Sequence, residues 1–240
     1  MKKESGSSNP LEGLADALDT VRQYVVQVRT PDGFGTGFMA AASDKAVGIA
    51  TAWHVIKHAL RSKQPITVVH PATGCSVTLN KKHSPPGQIR MEERLDTALV
   101  LFSKGLLPLP DSLPSLAPKG KKLREALEIG WCGYPALAPR TLCFFSGRIS
   151  AWIESEISYL VDGVAINGVS GGPAFFVGDS DGVAETVVVG LVTAYIPNRA
   201  AGECLPGVSW IRSTGVFEPL AKDSQEKRNQ KGQTPSPPPP

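Results

Sequence analysis

Three short segments of the chain contain residue types that together can perform nucleophilic catalysis. Ser170 lies in the glycine-rich string GVSGGP at residues 168–173. Glycines allow a ligand to approach the backbone closely, because no Cβ intervenes. A serine in such a turn becomes a nucleophile when a base removes its proton and N–H groups stabilise the developing oxyanion. The same string is also compatible with a simple turn between two strands, so the interpretation depends on finding a base.

His54 is the best candidate base among the four histidines. It follows the apolar segment 47–50 and precedes a segment of helical character, so packed elements on both sides would hold its ring, as catalysis requires. His58 lies one helical turn later, on a face that we expect to be exposed. His70 and His83 flank turns and lack an apolar frame. A single histidine is as compatible with a structural role as with catalysis, which makes a carboxylate partner the next requirement.

Asp96 is the best candidate for that carboxylate. It begins the apolar segment 97–102, and a carboxylate at the mouth of a buried strand needs a partner. Such a carboxylate can orient an imidazole and stabilise its cation, although a strand-start aspartate can also cap a turn. Asp44, Asp111 and Asp162 lie in polar or loop surroundings without this frame.

The strand pattern places these candidates in two halves of the chain. Six strand candidates lie before residue 103, at 21–29, 35–41, 46–51, 66–70, 75–80 and 97–102. A connector at 103–125 follows them, with a possible short helix near 123–127. Six more strand candidates come after it, at 128–132, 141–152, 156–161, 172–177, 186–195 and 208–213. Short strands at this spacing are typical of barrels and sandwiches. We therefore predict an all-β fold of two six-stranded antiparallel β-barrels with short terminal helices. His54 and Asp96 fall in the first barrel and Ser170 in the second, which puts the site in the cleft between them.

The composition agrees with a folded, turn-rich domain. Of 240 residues, 41% are hydrophobic, 20% are charged, 24 are glycine and 21 are proline. This content of helix breakers disfavours a helical bundle, because each interior proline costs a helix roughly 3 kcal/mol. We predict three regions. An extension at 1–20, with a short helix over 10–20, precedes a folded domain at 21–221. This domain has barrels at about 21–105 and 126–217 and a closing helix at 216–221, and a disordered proline-rich tail follows at 222–240. The tail is compatible with a linker or with a ligand for a proline-reading module.

Several functional classes are excluded by the same inventory. Nucleic-acid binding needs a clustered basic face, and a net charge of only +3 does not predict one. We therefore expect no nucleic-acid partner. No apolar run approaches 18 residues and no signal-peptide core follows the first lysines, so we expect no membrane span and a cytoplasmic protein. The four cysteines have no CxxC spacing, so we expect no metal site and no cofactor. Cys132 and Cys143 lie on successive predicted strands, where we favour two small buried residues over a contact between the thiols.

Three strings resemble the signatures of the trypsin-like (chymotrypsin-fold) serine peptidases. They are TAWHV at 51–55, DTALV at 96–100 and GVSGGP at 168–173. The short form without disulfides resembles the bacterial branch, which includes the protease domain of the high-temperature-requirement proteases. GTGF at 35–38 and GWCGYP at 130–135 also match. The resemblance covers about residues 21–217 and implies a double-barrel hydrolase that needs no metal.

The resemblance also implies a mechanism. Ser170 would attack a peptide carbonyl, His54 would carry the proton to the leaving amine and Asp96 would hold the ring. The N–H groups of Gly168 and Ser170 would form the oxyanion hole. Extended substrate would pair with the strand that carries Thr193, Ala194 and Tyr195, with Thr193 on the strand that backs the aspartate.

Two positions depart from the family pattern. Val169 precedes the serine, where the animal digestive members carry an aspartate that receives a newly cut N terminus and bacterial relatives carry a polar residue. We therefore expect no such activation switch, and the state of the oxyanion hole becomes an open question. Val164 occupies the pocket-floor position without a carboxylate, so cleavage after Lys or Arg is not expected. With Ala165 and Tyr195 it predicts a pocket for a small or apolar side chain.

Three functional hypotheses follow. The first is a serine endopeptidase that hydrolyses protein or peptide substrates through an acyl-enzyme. The second is a trypsin-like module that acts by protein binding. It is either catalytically silent or activated by a protein partner, and its tail could recruit partners. The third is an esterase or acyl transferase that uses the same apparatus on a non-peptide substrate.

Overall fold

The computed structural model describes residues 10–79, 89–118, 120–180, 183–198 and 205–217. The predicted proline-rich tail at 222–240 and the start of the predicted extension lie outside these residues, as do His83 and the end of the predicted closing helix.

The first half of the chain forms one antiparallel sheet of seven strands in the order β5-β4-β1-β2-β3-β7-β6. Its strands are β1 Val25–Thr30, β2 Gly33–Ala42, β3 Ala46–Ala52, β4 Thr67–His70, β5 Cys75–Thr78, β6 Ile89–Glu92 and β7 Thr97–Ser103. Within the described ranges the two edge strands, β5 and β6, do not pair, so this sheet is a half-barrel. Strand β6 has no counterpart among the predicted strands, because its four residues alternate too briefly to stand out from the charged segment that follows.

The second half forms a closed barrel. Its strands are β8 Ser115–Leu116, β9 Glu128–Gly133, β10 Cys143–Ile153, β11 Ser158–Asp162, β12 Pro173–Ser180, β13 Val183–Asn198 and β14 Leu205–Ser213. Six of them form an antiparallel barrel that closes through pairing of β12 with β13. The short strand β8 lies parallel to β13, which the antiparallel prediction did not include. The prediction of an all-β double barrel is confirmed by this architecture.

The two helices are α1 Pro10–Arg22 and α2 Trp53–Arg61. Helix α1 extends past the predicted end at residue 20, so the first strand begins later than predicted. The helix predicted near 123–127 is wrong. Leu123 N donates to Tyr159 Oη at 3.2 Å and Ala126 N donates to Ile149 O at 2.8 Å. These backbone donors bond to the second barrel instead of to a preceding turn. Near the end of the described chain, Thr214–Val216 forms a single 3-10 turn.

Three apolar clusters stabilise this arrangement. One fills the first sheet around Ile49, Ile56 and Phe102, and one fills the second barrel around Trp131 and Tyr159. The third cluster joins the two halves and helix α1, and it contains Leu14, Ala17, Val21, Phe38, Ala50, Leu99, Cys132, Tyr134, Phe175 and Leu191. The two halves therefore pack against each other through a continuous core. No helix among the described residues has both the length and the apolar character needed to cross a membrane.

Candidate active site

His54 is held at the junction between a buried strand and a helix. Strand β3 ends at Ala52 and helix α2 begins at Trp53, so the histidine occupies the first turn of the helix. Trp53 is buried, and so is Ile56 on the same helix. The ring of His54 remains accessible, with 38% of its side chain exposed. The predicted combination of a packed frame and an accessible ring is therefore present.

Asp96 contacts this junction through three hydrogen bonds. Its Oδ2 lies 2.7 Å from His54 Nδ1, and its Oδ1 accepts the backbone N–H of His54 at 2.8 Å. Its carbonyl oxygen accepts the N–H of Trp53 at 3.1 Å. Because an ionised carboxylate only accepts hydrogen bonds, Nδ1 carries the proton in this contact and Nε2 is the basic nitrogen of the neutral ring. Asp96 adopts a left-handed conformation with φ of 51°, and this backbone geometry permits its side chain and its carbonyl to reach the same helix end.

The same carboxylate completes the start of helix α2. The residue before the helix, Ala52, has no side chain that can accept a helix N–H. The Asp96 carboxylate accepts one of these free donors and places a negative charge at the positive end of the helix dipole. Asp96 therefore orients the ring of His54 and also stabilises the helix that carries it.

Ser170 lines the same cleft as His54. This cleft has a volume of about 260 Å³, and its walls come from the β1–β2 turn, helix α2 and the turn at residues 167–170. Ser170 Oγ makes no hydrogen bond with any described residue, including the ring of His54. Such contacts in unliganded active sites are often long and tighten only when substrate binds. The structure thus brings the three predicted residues to one site, with the His–Asp contact formed.

The turn before Ser170 presents two free backbone donors. The N–H groups of Gly168 and Ser170 have no acceptor in the described part of the chain. Asn167 O accepts the N–H of Ala136 at 2.7 Å, which fixes the peptide between residues 167 and 168. In a trans peptide the N–H points away from the carbonyl, so Gly168 N–H faces away from Ala136. Both N–H groups are thus left without an acceptor among the described residues, next to the hydroxyl of Ser170.

Thr36 on strand β2 holds the other side of this turn. Its hydroxyl donates to Gly168 O at 2.8 Å and accepts the N–H of Tyr134 at 2.9 Å, and its backbone N–H donates to Ser170 O at 2.8 Å. The hydroxyl is fully buried. One side chain of the first sheet therefore joins the turn at residues 167–172, which we call the nucleophile turn after the candidate nucleophile Ser170, to the loop that begins at Tyr134.

Val169 is an apolar anchor for the turn. Its side chain is completely buried in the core of the second barrel, together with Trp131 and Ala165. Its N–H donates to Ile166 O at 3.0 Å and its carbonyl accepts the N–H of Gly172 at 2.8 Å. Both backbone groups are satisfied within the turn, so the valine needs no charged partner. This packing explains how the turn accommodates an apolar residue at the position where the family carries a polar one.

The glycines of the turn are required by close packing. Gly168 has a φ of 94° and Gly171 a φ of 86°, both in the region that favours glycine. A Cβ at Gly168 would collide with Tyr134 O, and one at Gly171 would collide with Thr36 O. The missing side chains let the nucleophile turn approach its neighbours in both halves of the fold.

The residues predicted to bind substrate lie outside the cleft of His54 and Ser170. Val164 is 45% exposed, whereas Ala165 and Thr193 are buried. Ala194 is exposed, and Tyr195 Oη accepts the N–H of Gly207 at 2.7 Å. The hydroxyl of Thr193 donates to Trp210 O at 3.3 Å. Its polar contact is therefore with the adjacent strand β14, and the proposed pocket stays a prediction.

Sequence reasoning missed three contributors to the site. Thr36 and Ala136 act through contacts with residues more than 30 positions away. Thr36 lies within the matching string GTGF and Ala136 directly follows GWCGYP, but neither string indicates these contacts. Arg212 is 5% exposed, contacts Glu156 and lies close enough to Asp96 for their charges to attract. Burial lowers the pKa of Arg212, while Glu156 opposes that effect. The sequence signal that could have indicated Arg212 is the presence of a basic residue in an apolar strand.

The described cysteines make no disulfide. Cys75, Cys132 and Cys143 are free thiols, and Cys204 lies outside the described residues. In the β9–β10 register Cys132 pairs with Phe144 and Cys143 with Gly133. Complete burial raises the pKa of the Cys132 thiol, so this residue serves as a small core side chain.

No family model and no curated protein matches the sequence. Solved structures do match. An inactive mutant form of Rv3671c from M. tuberculosis H37Rv is 16% identical, with a TM-score of 0.55, and the match covers 96% of this chain and 98% of that one. Deg5 is 20% identical with a TM-score of 0.60, covering 88% and 92%. An inactive form of the Rv3671c protease is 19% identical with a TM-score of 0.58, covering 90% and 97%. The chain therefore has the chymotrypsin-like double-barrel fold that is found in trypsin-like serine proteases.

Proposed function

We propose that this protein is a serine endopeptidase that uses His54, Asp96 and Ser170. One observation carries the proposal: His54, whose Nδ1 lies 2.7 Å from Asp96 Oδ2, lines the same cleft as Ser170 and Gly168, whose backbone N–H groups have no acceptor in the described chain. A base, its orienting carboxylate, a nucleophile and oxyanion donors are the parts that acyl transfer needs. The similarity to structures of proteases supports the same reading.

The reaction proceeds in two acyl-transfer steps. Ser170 Oγ attacks the scissile carbonyl while His54 Nε2 accepts its proton. The tetrahedral intermediate collapses, the C–N bond breaks and His54 returns the proton to the leaving amine, which leaves an acyl ester on Ser170. Water then attacks this ester, again with His54 as the base, and the acid product and free Ser170 are formed. Asp96 stays ionised and stabilises the imidazolium in both steps.

The oxyanion of each intermediate is bound by the N–H groups of Gly168 and Ser170. One such donor typically contributes about 3–4 kcal/mol to transition-state stabilisation. Because Ala136 N donates to Asn167 O and Gly172 N donates to Val169 O, the two peptides that carry these donors are held by hydrogen bonds before substrate arrives. We therefore propose a constitutively competent site, in place of one that waits for an activating partner or a cleaved N terminus.

We also propose a preference for a small or apolar residue on the acyl side of the scissile bond. The pocket-floor position is Val164, and Ala165 follows it, so this wall offers no carboxylate for a lysine or arginine. A peptide-library profile dominated by Lys or Arg at the residue before the cleaved bond would refute this preference.

Labelling with a fluorophosphonate probe tests the proposed function. The probe should modify the folded wild-type protein on Ser170, and Ser170→Ala should abolish labelling. Ser150→Ala, at an exposed serine of strand β10, is the matched control and should label like the wild type. A folded wild-type protein that is not labelled would refute constitutive activity. Hydrolysis of esters without cleavage of any peptide in a library would favour the esterase hypothesis instead.

A further inference from the structure

The cleft beside His54 and Ser170 contains a second His–Asp pair. His58 Nδ1 lies 2.6 Å from Asp32 Oδ2, and both side chains line the cleft. His58 follows His54 by one turn of helix α2, and Asp32 belongs to the turn that joins β1 to β2. The side chains are 68% and 52% exposed. They can therefore contact a ligand that reaches the reacting serine.

The cleft is separate from the surface that is predicted to bind the acyl half of the substrate. Its walls are the β1–β2 turn with Phe34, helix α2 and the turn at 167–170. None of the residues assigned to the acyl half of the substrate, at 164–165 and 193–195, contributes to it. A peptide bound across Ser170 must extend in both directions from the scissile bond. If its acyl half follows strand β13, its amine half occupies the cleft.

The cleft wall carries one carboxylate and no lysine or arginine. Its lining residues are Thr30, Asp32, Gly33, Phe34, His54, Val55, His58, Asn167, Gly168 and Ser170. His58 contacts one oxygen of Asp32, and the other oxygen, Oδ1, accepts no hydrogen bond from a described residue. The imidazole thus holds the carboxylate at the rim, with one oxygen free to accept from a cationic ligand.

The basic side chains on the same helix do not line the cleft. Arg61 makes an ion pair with Glu93 at 2.5 Å, and Lys57 is exposed on helix α2 without forming part of the cleft wall. The local field at the free oxygen of Asp32 therefore favours a positive charge when His58 is neutral.

We propose that Asp32, positioned by His58, recognises a lysine or arginine side chain in the leaving-group half of the substrate. This inference rests on the proposed serine peptidase function and adds a determinant of specificity to it. Charge pairs at exposed sites are worth little individually, and 1 kcal/mol corresponds to about fivefold. We accordingly expect about a fivefold preference for a cationic over an isosteric neutral residue at low salt, which decreases at 0.5 M NaCl because the pair is screened.

Partition of the acyl-enzyme between water and added amines measures this preference directly. The protein is acylated with p-nitrophenyl acetate, and argininamide, glutaminamide and glutamic acid α-amide, whose side-chain carboxylate is free, compete with water for the acyl group. A second series with glycyl-argininamide, glycyl-glutaminamide and their glutamyl counterpart places the test side chain one residue further along. Product ratios follow from mass spectrometry. We expect the arginine compound of at least one series to exceed its glutamine counterpart about fivefold and the glutamyl compound to be the poorest acceptor.

Two variants assign the preference to its residue. Asp32→Asn should reduce the arginine-to-glutamine ratio to about one without changing the p-nitrophenolate burst. Asp44→Asn, at an exposed aspartate between strands β2 and β3, should keep the wild-type ratio. Equal partition to all acceptors in the wild type, or an unchanged ratio in Asp32→Asn, would overturn the inference while the burst still supported the peptidase. Absence of the burst and of fluorophosphonate labelling would refute the proposed function, and the inference with it.

Discussion

The hydroxyl of Thr36 gives the sharpest test of how this fold prepares its nucleophile turn. Thr36→Val keeps the shape of the side chain and removes the one group that joins Gly168 O to Tyr134 N. Both backbone groups then remain buried without a partner, because valine can neither donate nor accept. Each such group costs about 1–3 kcal/mol, so the variant should lose about 2–6 kcal/mol of unfolding free energy.

The same substitution should impair chemistry. Without the hydroxyl, the carbonyl of Gly168 has no partner in its present direction and the turn gains freedom to reorient its N–H groups. Loss of one oxyanion donor lowers kcat by about 10²–10³, and we expect the fluorophosphonate labelling rate to fall toward the lower end of that range. The urea midpoint reports the stability effect, and the labelling rate is measured on samples that circular dichroism shows to be folded.

Thr36→Ser is the matched control for this prediction. It keeps the hydroxyl and loses only a buried methyl group, which is worth about 1 kcal/mol. It should therefore label at close to the wild-type rate. The reasoning would be refuted if Thr36→Val had a wild-type urea midpoint and labelled within twofold of the wild type, or if the serine variant lost as much activity as the valine variant.

Three further predictions test other parts of the site and of the fold. Asp96→Asn should slow probe labelling by up to about 10⁴-fold, because an amide in place of the carboxylate favours the wrong tautomer of His54; labelling within tenfold of the wild type would contradict the assigned contact. Val169→Asp should cost several kcal/mol in urea unfolding, since an unpaired carboxylate would be buried in the second barrel, whereas Val169→Ile should cost much less. Burial lowers the pKa of His70 below its ordinary 6.5, so the unfolded chain takes up this proton first and stability is lost as pH falls below that value. His70→Gln should reduce the loss of stability between pH 7 and pH 5, and an identical pH profile would show that His70 does not contribute to it.

The three proposed catalytic residues could be selected from the sequence because each has a local signature. His54 stands between an apolar strand and a helix, Asp96 begins a buried strand, and Ser170 lies among glycines. The double-barrel fold followed from strand rhythm for the same reason, since alternation and turn residues are local properties. These predictions depended on short windows of sequence, where physical preference is strongest.

The contacts that prepare the turn could not be found in that way. Thr36 and Gly168 are 132 positions apart, and Ala136 contributes only its backbone N–H, which every non-proline residue has. Val169 departs from the family motif, and the sequence alone did not explain why an apolar residue fits there. The reason is that residues of several distant strands form its buried environment. The helix predicted near 123–127 failed for a related reason: its backbone donors find partners in the second barrel.

The link between Thr36 and the nucleophile turn has a kinetic consequence. Neither half of the chain contains both ends of this link, so the second barrel alone lacks the hydrogen bonds of Thr36 to Gly168 O and Ser170 O. Contacts this distant in sequence form late, because the closure entropy of a long loop must first be offset. During refolding from urea, reactivity of Ser170 toward the probe should therefore appear only after the change in intrinsic tryptophan fluorescence that accompanies burial of Trp131. We therefore expect the gain of Ser170 reactivity to report the docking of the two halves as a late step of folding.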